Sequence, residues 1–279
     1  MFNLNSIYRP TTAQPFLSDE TYLEVQPCTE LKPYVCCFWG TPEPFTGLSD
    51  KTPRQRLVIP DTCMDIIISI NGDLKRIESL FAGISDKTFK DVQFPVKNTI
   101  SRIAIRFYSW AVPLFANDSM KNTFNSFFSA DELFSNITQD LQEALLENTS
   151  MNARVKLIEQ YLIKRLDLNK QKSNVMNAIY KVLESKGTAN ISELCNYTSV
   201  SNRHLERLFS EYVGVSPKKL SSLVRYQYLW NDLLFENSLD FLDCVYKYRF
   251  SDQSHLINDF KSFHSLTPTE ARVLAYEGL

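Results

Sequence analysis

Glycine and histidine are scarce in this chain: 279 residues include seven glycines and three histidines. Each shortage excludes something. A phosphate-cradling loop needs clustered glycines, and none is present. His204, His255 and His264 all fall in the last third, so the first two thirds have no imidazole for a metal site or for a Ser-His or Cys-His dyad. No stretch approaches the roughly 18 consecutive apolar residues of a membrane span, and the N-terminus lacks the basic start and apolar run of a signal peptide. These absences predict a soluble cytoplasmic protein that is no enzyme, has no membrane partner and needs no metal or cofactor.

An excess of one charge is also missing. The net charge is −2, from 30 Lys plus Arg and 32 Asp plus Glu, whereas nucleic-acid binders usually carry a clear basic surplus. Any DNA affinity must come from a local arrangement of Arg203, Arg207, Lys218, Lys219, Arg225, Lys247, Arg249 and Lys261 on one face. Cysteines are scattered at Cys28, Cys36, Cys37, Cys63, Cys195 and Cys244. No two lie at the two-to-four-residue spacing of structural zinc ligands, and a reducing compartment fits the pattern. Adjacent Cys36 and Cys37 on a strand are expected to point to opposite faces. Buried inert thiols are the default reading, with a cysteine-based redox or alkylation sensor as the sharper alternative.

What is present divides the chain in two. Strand-like runs occupy about residues 20 to 108: Tyr22 to Val25, Tyr34 to Trp39, Arg56 to Ile59, Met64 to Ile70, and Ile103 to Phe107. Turn signals at Thr41 to Pro44, Pro60-Asp61 and Asn71 to Asp73 separate them. Ile103, Ile105 and Phe107 alternate with Arg102, Ala104 and Arg106, as in a strand with one face on a core and the other on solvent or a cavity. A helix from about Ser150 to Leu166 carries Val155, Ile158, Leu162, Ile163 and Leu166 on one stripe, which packs either on the β-rich part or in a dimer interface. The polar stretch Asp167 to Ser173 reads as an interdomain hinge.

The rest is helical: Asn174 to Lys186, Ile191 to Tyr197, Asn202 to Tyr212, Pro217 to about Glu236, Leu239 to Tyr248, Asp252 to Phe263, and a last helix opened by Thr267-Pro268. Ser201, Ser216 and Asp252 are the expected N-caps, and Pro217 takes the first helical position. Within this half a pattern repeats 51 positions on: His204-Leu205 and Phe209 fall onto His255-Leu256 and Phe260, and Val215-Ser216-Pro217 onto Leu266-Thr267-Pro268. The repeat spans whole helix-turn-helix units. In such a unit the second helix buries one face and projects its first turns into the DNA major groove, where all four base pairs are distinguishable. Leu205, Leu208 and Phe209 would face inward in the first unit and Leu256 and Phe260 in the second.

The segments SVSNRHLERLFSEYVGVSPKKL and RFSDQSHLINDFKSFHSLTP resemble the two helix-turn-helix motifs of the AraC/XylS family of bacterial transcription regulators, over roughly residues 173 to 275. The resemblance implies sequence-specific binding to double-stranded DNA and contact with RNA polymerase, usually as an activator. Its base-reading positions fall on Asn202, Arg203, Glu206 and Arg207 in the first motif and on Gln253, Ser254, Ile257 and Asn258 in the second. Lys219 and Arg225 are expected phosphate contacts, and Lys261 belongs to the same basic set. The second motif departs from the family pattern at Asn258, where Arg is common, and at Ser265, which replaces a turn glycine.

The N-terminal half resembles more loosely the sensory barrel of a subset of that family, through Val58 to Ile67, Phe81-Ala82-Gly83 and Ile105-Arg106-Phe107. This implies a cupin-like fold that binds a small-molecule effector or forms a homodimer. Tyr34, Phe38, Trp39, Phe107 and Trp110 either line its pocket or fill its core. The expected fold is therefore α+β: a β-rich, barrel-like sensory domain with helices over residues 1–168, then an all-α domain over 173–279 with two helix-turn-helix motifs joined by a long helix. The competing function is a ligand-binding or interaction module whose helical half docks to protein.

Overall fold

A computed structural model describes residues 4–11, 22–41, 54–93, 100–236 and 240–277. Pro42 to Pro44, expected as a turn, and Leu239, an expected helix start, lie outside them. Eight strands fall in the N-terminal half: β1 (Leu23–Val25), β2 (Val35–Gly40), β3 (Arg54–Val58), β4 (Cys63–Asn71), β5 (Arg76–Ala82), β6 (Phe89–Gln93), β7 (Ile100–Tyr108) and β8 (Phe127–Ser129). Six make one antiparallel sheet in the order β1-β2-β7-β4-β5-β8, and β3 and β6 pair as a separate ribbon. The expected β-rich domain is present. Its strands form two sheets among the described residues, and a cupin-type closure is not seen.

The alternation in β4 dictates the layering. Met64, Ile66, Ile68 and Ile70 are buried while Asp65, Ile67 and Ser69 are half-buried, and the register sets Met64, Ile66 and Ile68 opposite Phe107, Ile105 and Ile103 of β7. One sheet face is thus a continuous apolar layer. It is covered by α2 (Ile137–Glu147) and α3 (Met151–Arg165), through Leu141, Leu145, Val155, Ile158 and Leu162. The α3 stripe therefore packs on the sheet, although Ile163 is exposed. Buried Arg154 of α3 donates to Ser101 Oγ on that face and to the Asn148 carbonyl.

The predicted hinge is tied down. Asp167 donates its backbone N–H to the Leu114 carbonyl, and Lys170, in a short 3-10 turn over Leu168–Lys170, donates its Nζ to the Ala116 carbonyl at 2.7 Å. Polar composition alone does not make a free linker where the neighbouring backbone offers acceptors.

The C-terminal half consists of α4 (Ser173–Glu184), α5 (Ile191–Thr198), α6 (Asn202–Tyr212), α7 (Pro217–Phe235), α8 (Phe241–Lys247), α9 (Gln253–His264) and α10 (Pro268–Glu277). A four-residue α1 (Leu4–Ile7) lies against α4. The caps hold as the sequence implies: Ser201, Ser216 and Asp252 accept from the backbone N–H groups of His204, Lys219 and His255. The rod α7 buries Leu220, Leu223, Val224, Tyr226, Leu229, Trp230 and Leu233 between the two units. No described helix is long and apolar enough to cross a membrane.

Candidate nucleic-acid interface and its coupled cavity

The second helix of each repeat unit is amphipathic in the sense a groove reader requires. In α6, Leu205, Phe209 and Tyr212 are buried, while Asn202, Arg203 and Arg207 are exposed and Glu206 is half-buried. Arg203, His204 and Arg207 border a shallow surface hollow with Ser201, and Arg207 makes only a long ion pair, 3.6 Å, with exposed Glu211. In α9, Leu256, Phe260 and Phe263 are buried, Gln253, Ser254, Asn258 and Lys261 are exposed, and Ile257 is half-buried. Both helices thus present exposed polar N-terminal turns.

The two expected phosphate contacts each make an ion pair within the chain. Lys219 Nζ lies 2.7 Å from Asp86 Oδ2 of the N-terminal half, and sits over the rings of Phe124 and Phe263. Arg225 donates Nη2 to Asp259 Oδ2 at 2.9 Å and stacks its guanidinium 4.2 Å over Phe250. Both side chains are half-buried, a consequence of burying α7 on several sides. The sequence could not show this, because the partners Asp86 and Asp259 are far away in the chain.

The C-terminal ends of both reading helices rest on the N-terminal half. The backbone N–H of Met120 donates to the Glu211 carbonyl at 2.8 Å. Gly214, at φ +81°, packs so closely that an added Cβ would stand 2.5 Å from Thr123 Oγ1. At the other helix, Thr88 Oγ1 donates to the Phe263 carbonyl at 2.7 Å. Between them, Gln227 of α7 is buried, donates Nε2 to the Pro60 carbonyl and accepts from the Thr11 N–H.

The second sheet face borders a cavity of about 790 Å³, which Val58 and Phe89 of the ribbon also line. Its walls include Ile67, Leu80, Ala82 and Phe127, and one end is polar. There Arg106 forms a two-toothed pair with Asp65, Nε and Nη2 each donating at 3.1 Å, and its Nη1 stands 3.5 Å from Asp61 Oδ2. The indole N–H of Trp39 donates to Asp65 at 3.0 Å, and Tyr22 stacks on that indole. Burial, opposed by Arg106 and reinforced by Asp65, pushes the Asp61 carboxyl up to about 6. Burial works against the Arg106 charge, but Asp65 and Asp61 outweigh it and hold the guanidinium protonated.

Of the five aromatic residues read as pocket or core, Trp39 lines the cavity. Tyr34, Phe38, Phe107 and Trp110 are buried in the core. Phe38 pairs with Ile105 in the sheet, whereas Trp39 pairs with Ala104 and so faces the opposite way. The thiols Cys36, Cys37 and Cys63 are free and buried. A register shift between Val35 and Cys37 interrupts the alternation, and neighbouring Cys37 and Cys63 lower the pKa of Cys36. Cys37 is raised by Cys36 and by burial, Cys63 by burial first.

Comparison with known proteins agrees with this anatomy. Residues 194–273, which contain α6 and α9, match a helix-turn-helix domain model. The second half of the chain thus contains a helix-turn-helix domain. Residues 23–129 match DUF6597, a domain of unknown function. No protein of curated function matches the chain. Similar solved structures include an AraC-type regulator from Chromobacterium violaceum, 23% identical, covering 37% of this chain and 91% of that one at a TM-score of 0.33. An apo variant of ToxT from Vibrio cholerae is 12% identical over 85% of this chain and 97% of its own, TM-score 0.41. ToxT with bound unsaturated fatty acid is 11% identical over 91% and 95%, TM-score 0.39. At those scores the solved structures carry no argument about function.

Proposed function

We propose that this protein is an effector-controlled transcription regulator, acting as an activator, in which one chain reads two successive major grooves and the N-terminal cavity sets how firmly the two reading helices are held. The observation that carries the reading is the shared polarity of α6 and α9. Their N-terminal turns are exposed, and their C-terminal ends are fastened to loops of the cavity-bearing half. Successive grooves on one DNA face lie about 34 Å apart, a separation that a rigid rod such as α7 can span.

Two cavity-lining segments extend directly to the DNA-binding half. Pro60 and Asp61 line the cavity, and the Pro60 carbonyl holds Gln227. Gly83 and Ser85 line it as well, and the same segment continues into Asp86 and Thr88, which hold Lys219 and Phe263. A molecule in the cavity that binds one arrangement of these segments better than another shifts the population of DNA-competent chains. RNA polymerase is the partner that the family reading adds. The reading is tested by fluorescence anisotropy of the full chain with upstream-region and random duplexes across a salt series. Specific, salt-sensitive binding is expected; absence of binding at low salt would favour a protein-docking module instead.

A further inference from the structure

The polar end of the cavity has an unfilled hydrogen-bonding requirement. Arg106 is 6% exposed, and two of its nitrogens are spent on Asp65. Among the described residues Nη1 is buried with no hydrogen-bond partner, because Asp61 Oδ2 at 3.5 Å is within ion-pair but not hydrogen-bond reach. The other Asp61 oxygen already accepts from the Cys63 N–H at 2.7 Å. An unsatisfied donor and a nearby acceptor therefore face the same space, and a buried unpaired donor is costly.

Charge narrows what can fill that space. A carboxylate would approach Arg106 but meet Asp61 and Asp65 at the same time. An ammonium would suit Asp61 but stand beside the guanidinium, which cannot give up its proton. A hydroxyl satisfies both, accepting from Arg106 and donating to Asp61. Beyond it the walls turn apolar. Leu80, Phe89 and Phe127 are large, lie 39%, 38% and 49% exposed and line the cavity, the two phenyl rings meeting edge to face at 5.6 Å. Their exposed surface calls for an apolar body.

We propose that the cavity takes an uncharged amphipathic alcohol or phenol, its hydroxyl bridging Arg106 and Asp61 and its apolar body lying along Ile67, Leu80 and Phe127. This rests on the reading of the cavity as the effector site. The test is calorimetric titration of the full chain at neutral pH with octanol, octanoate and octylamine, which share one body and differ only in the head. Octanol is expected to bind at least about tenfold more tightly than either charged analogue, the worth of one hydrogen bond to a charged group. Asp61→Asn, which keeps the shape but removes the acceptor charge, should erase that preference. Phe127→Ala should weaken all three alike. If octanoate or octylamine ranks first, the hydroxyl assignment is overturned while the cavity remains the effector site. If none of the three binds, the assignment and the sensory reading of the cavity both fail, and DNA binding, measured separately, is untouched by that result.

Discussion

Gln227, midway along the rod between the two reading helices, is bonded to the backbone of Pro60, one residue before the cavity carboxylate Asp61. The same amide accepts from the Thr11 N–H at 2.8 Å. One buried side chain therefore links the rod, the cavity wall and the N-terminal segment. Gln227→Ala would strand a buried carbonyl and a backbone donor, at a cost of about 1–3 kcal/mol. Urea denaturation should show this loss, together with faster amide exchange at residues 8–11 and 59–63. Unchanged stability and exchange would mean that the link is incidental.

Lys219 is held by Asp86, not by solvent. Burial opposes ionisation of Asp86, but the hydrogen bonds from Lys219 and Asn125 prevail and lower its pKa. The pair is partly exposed, so its contribution is at most about 1 kcal/mol. Lys219→Ala is expected to leave the salt dependence of DNA binding nearly unchanged. A fall in the slope of log K against log salt by about one would restore Lys219 as a phosphate contact.

His264 is buried against Tyr226, Trp230 and Phe260, its Nδ1 2.8 Å from the Tyr226 hydroxyl. Burial lowers its pKa from 6.5 to about 4. The folded state holds the neutral ring, so its full contribution is present above pH 6.5 and is lost as pH falls from there towards 4. At about 1.4 kcal/mol per pH unit, the loss reaches about 3 kcal/mol. Asp61, raised from 3.8 to about 6, acts in the opposite sense, since the folded protein takes up that proton first as pH falls below 6. Subtracting the stability curve of His264→Leu from that of the wild type cancels the Asp61 contribution. The difference should shrink between pH 6.5 and 4, and a flat difference would contradict the buried neutral ring.

Ser265 closes α9 at φ +67°, a left-handed cap that a glycine adopts without penalty. Ser265→Gly should stabilise the protein by about 1 kcal/mol, measured by thermal or urea unfolding. The neighbouring Thr88 bond to the Phe263 carbonyl should survive the change, so DNA affinity should not fall.

Most of the helical half was legible from the sequence, because its boundaries are written in local chemistry. Ser201, Ser216 and Asp252 each cap a helix with their own side chains, and the helical period of Leu205, Phe209 and Tyr212 separates the buried face from the reading face. The sheet was less legible. Residues 76–82, RIESLFA, form β5 but carry no turn signals or β-branched run that would mark a strand. The polar end of the cavity was missed for a different reason. Asp61, Asp65 and Arg106 come from separate segments and meet only through the β4–β7 register, which pairs Asp65 with Arg106. Charged residues between alternating apolar positions, Asp65 in β4 and Arg106 in β7, were the available signal. Pocket or core was left open for the aromatic residues because Phe38 and Trp39 are neighbours in sequence and on opposite faces in the sheet, and the Lys219–Asp86 pair was invisible because only the tertiary fold brings the two together.

The central claim is that one chain carries two groove-reading helices at a fixed separation. Selection of binding sites from a random duplex pool with the full chain tests it most directly. The account predicts two preferred blocks with centres about 10 base pairs apart. Arg203→Ala should flatten one block at a cost of about 1–3 kcal/mol, and Gln253→Ala should flatten only the other. A single enriched block, or an equal loss across both blocks with either substitution, would contradict it.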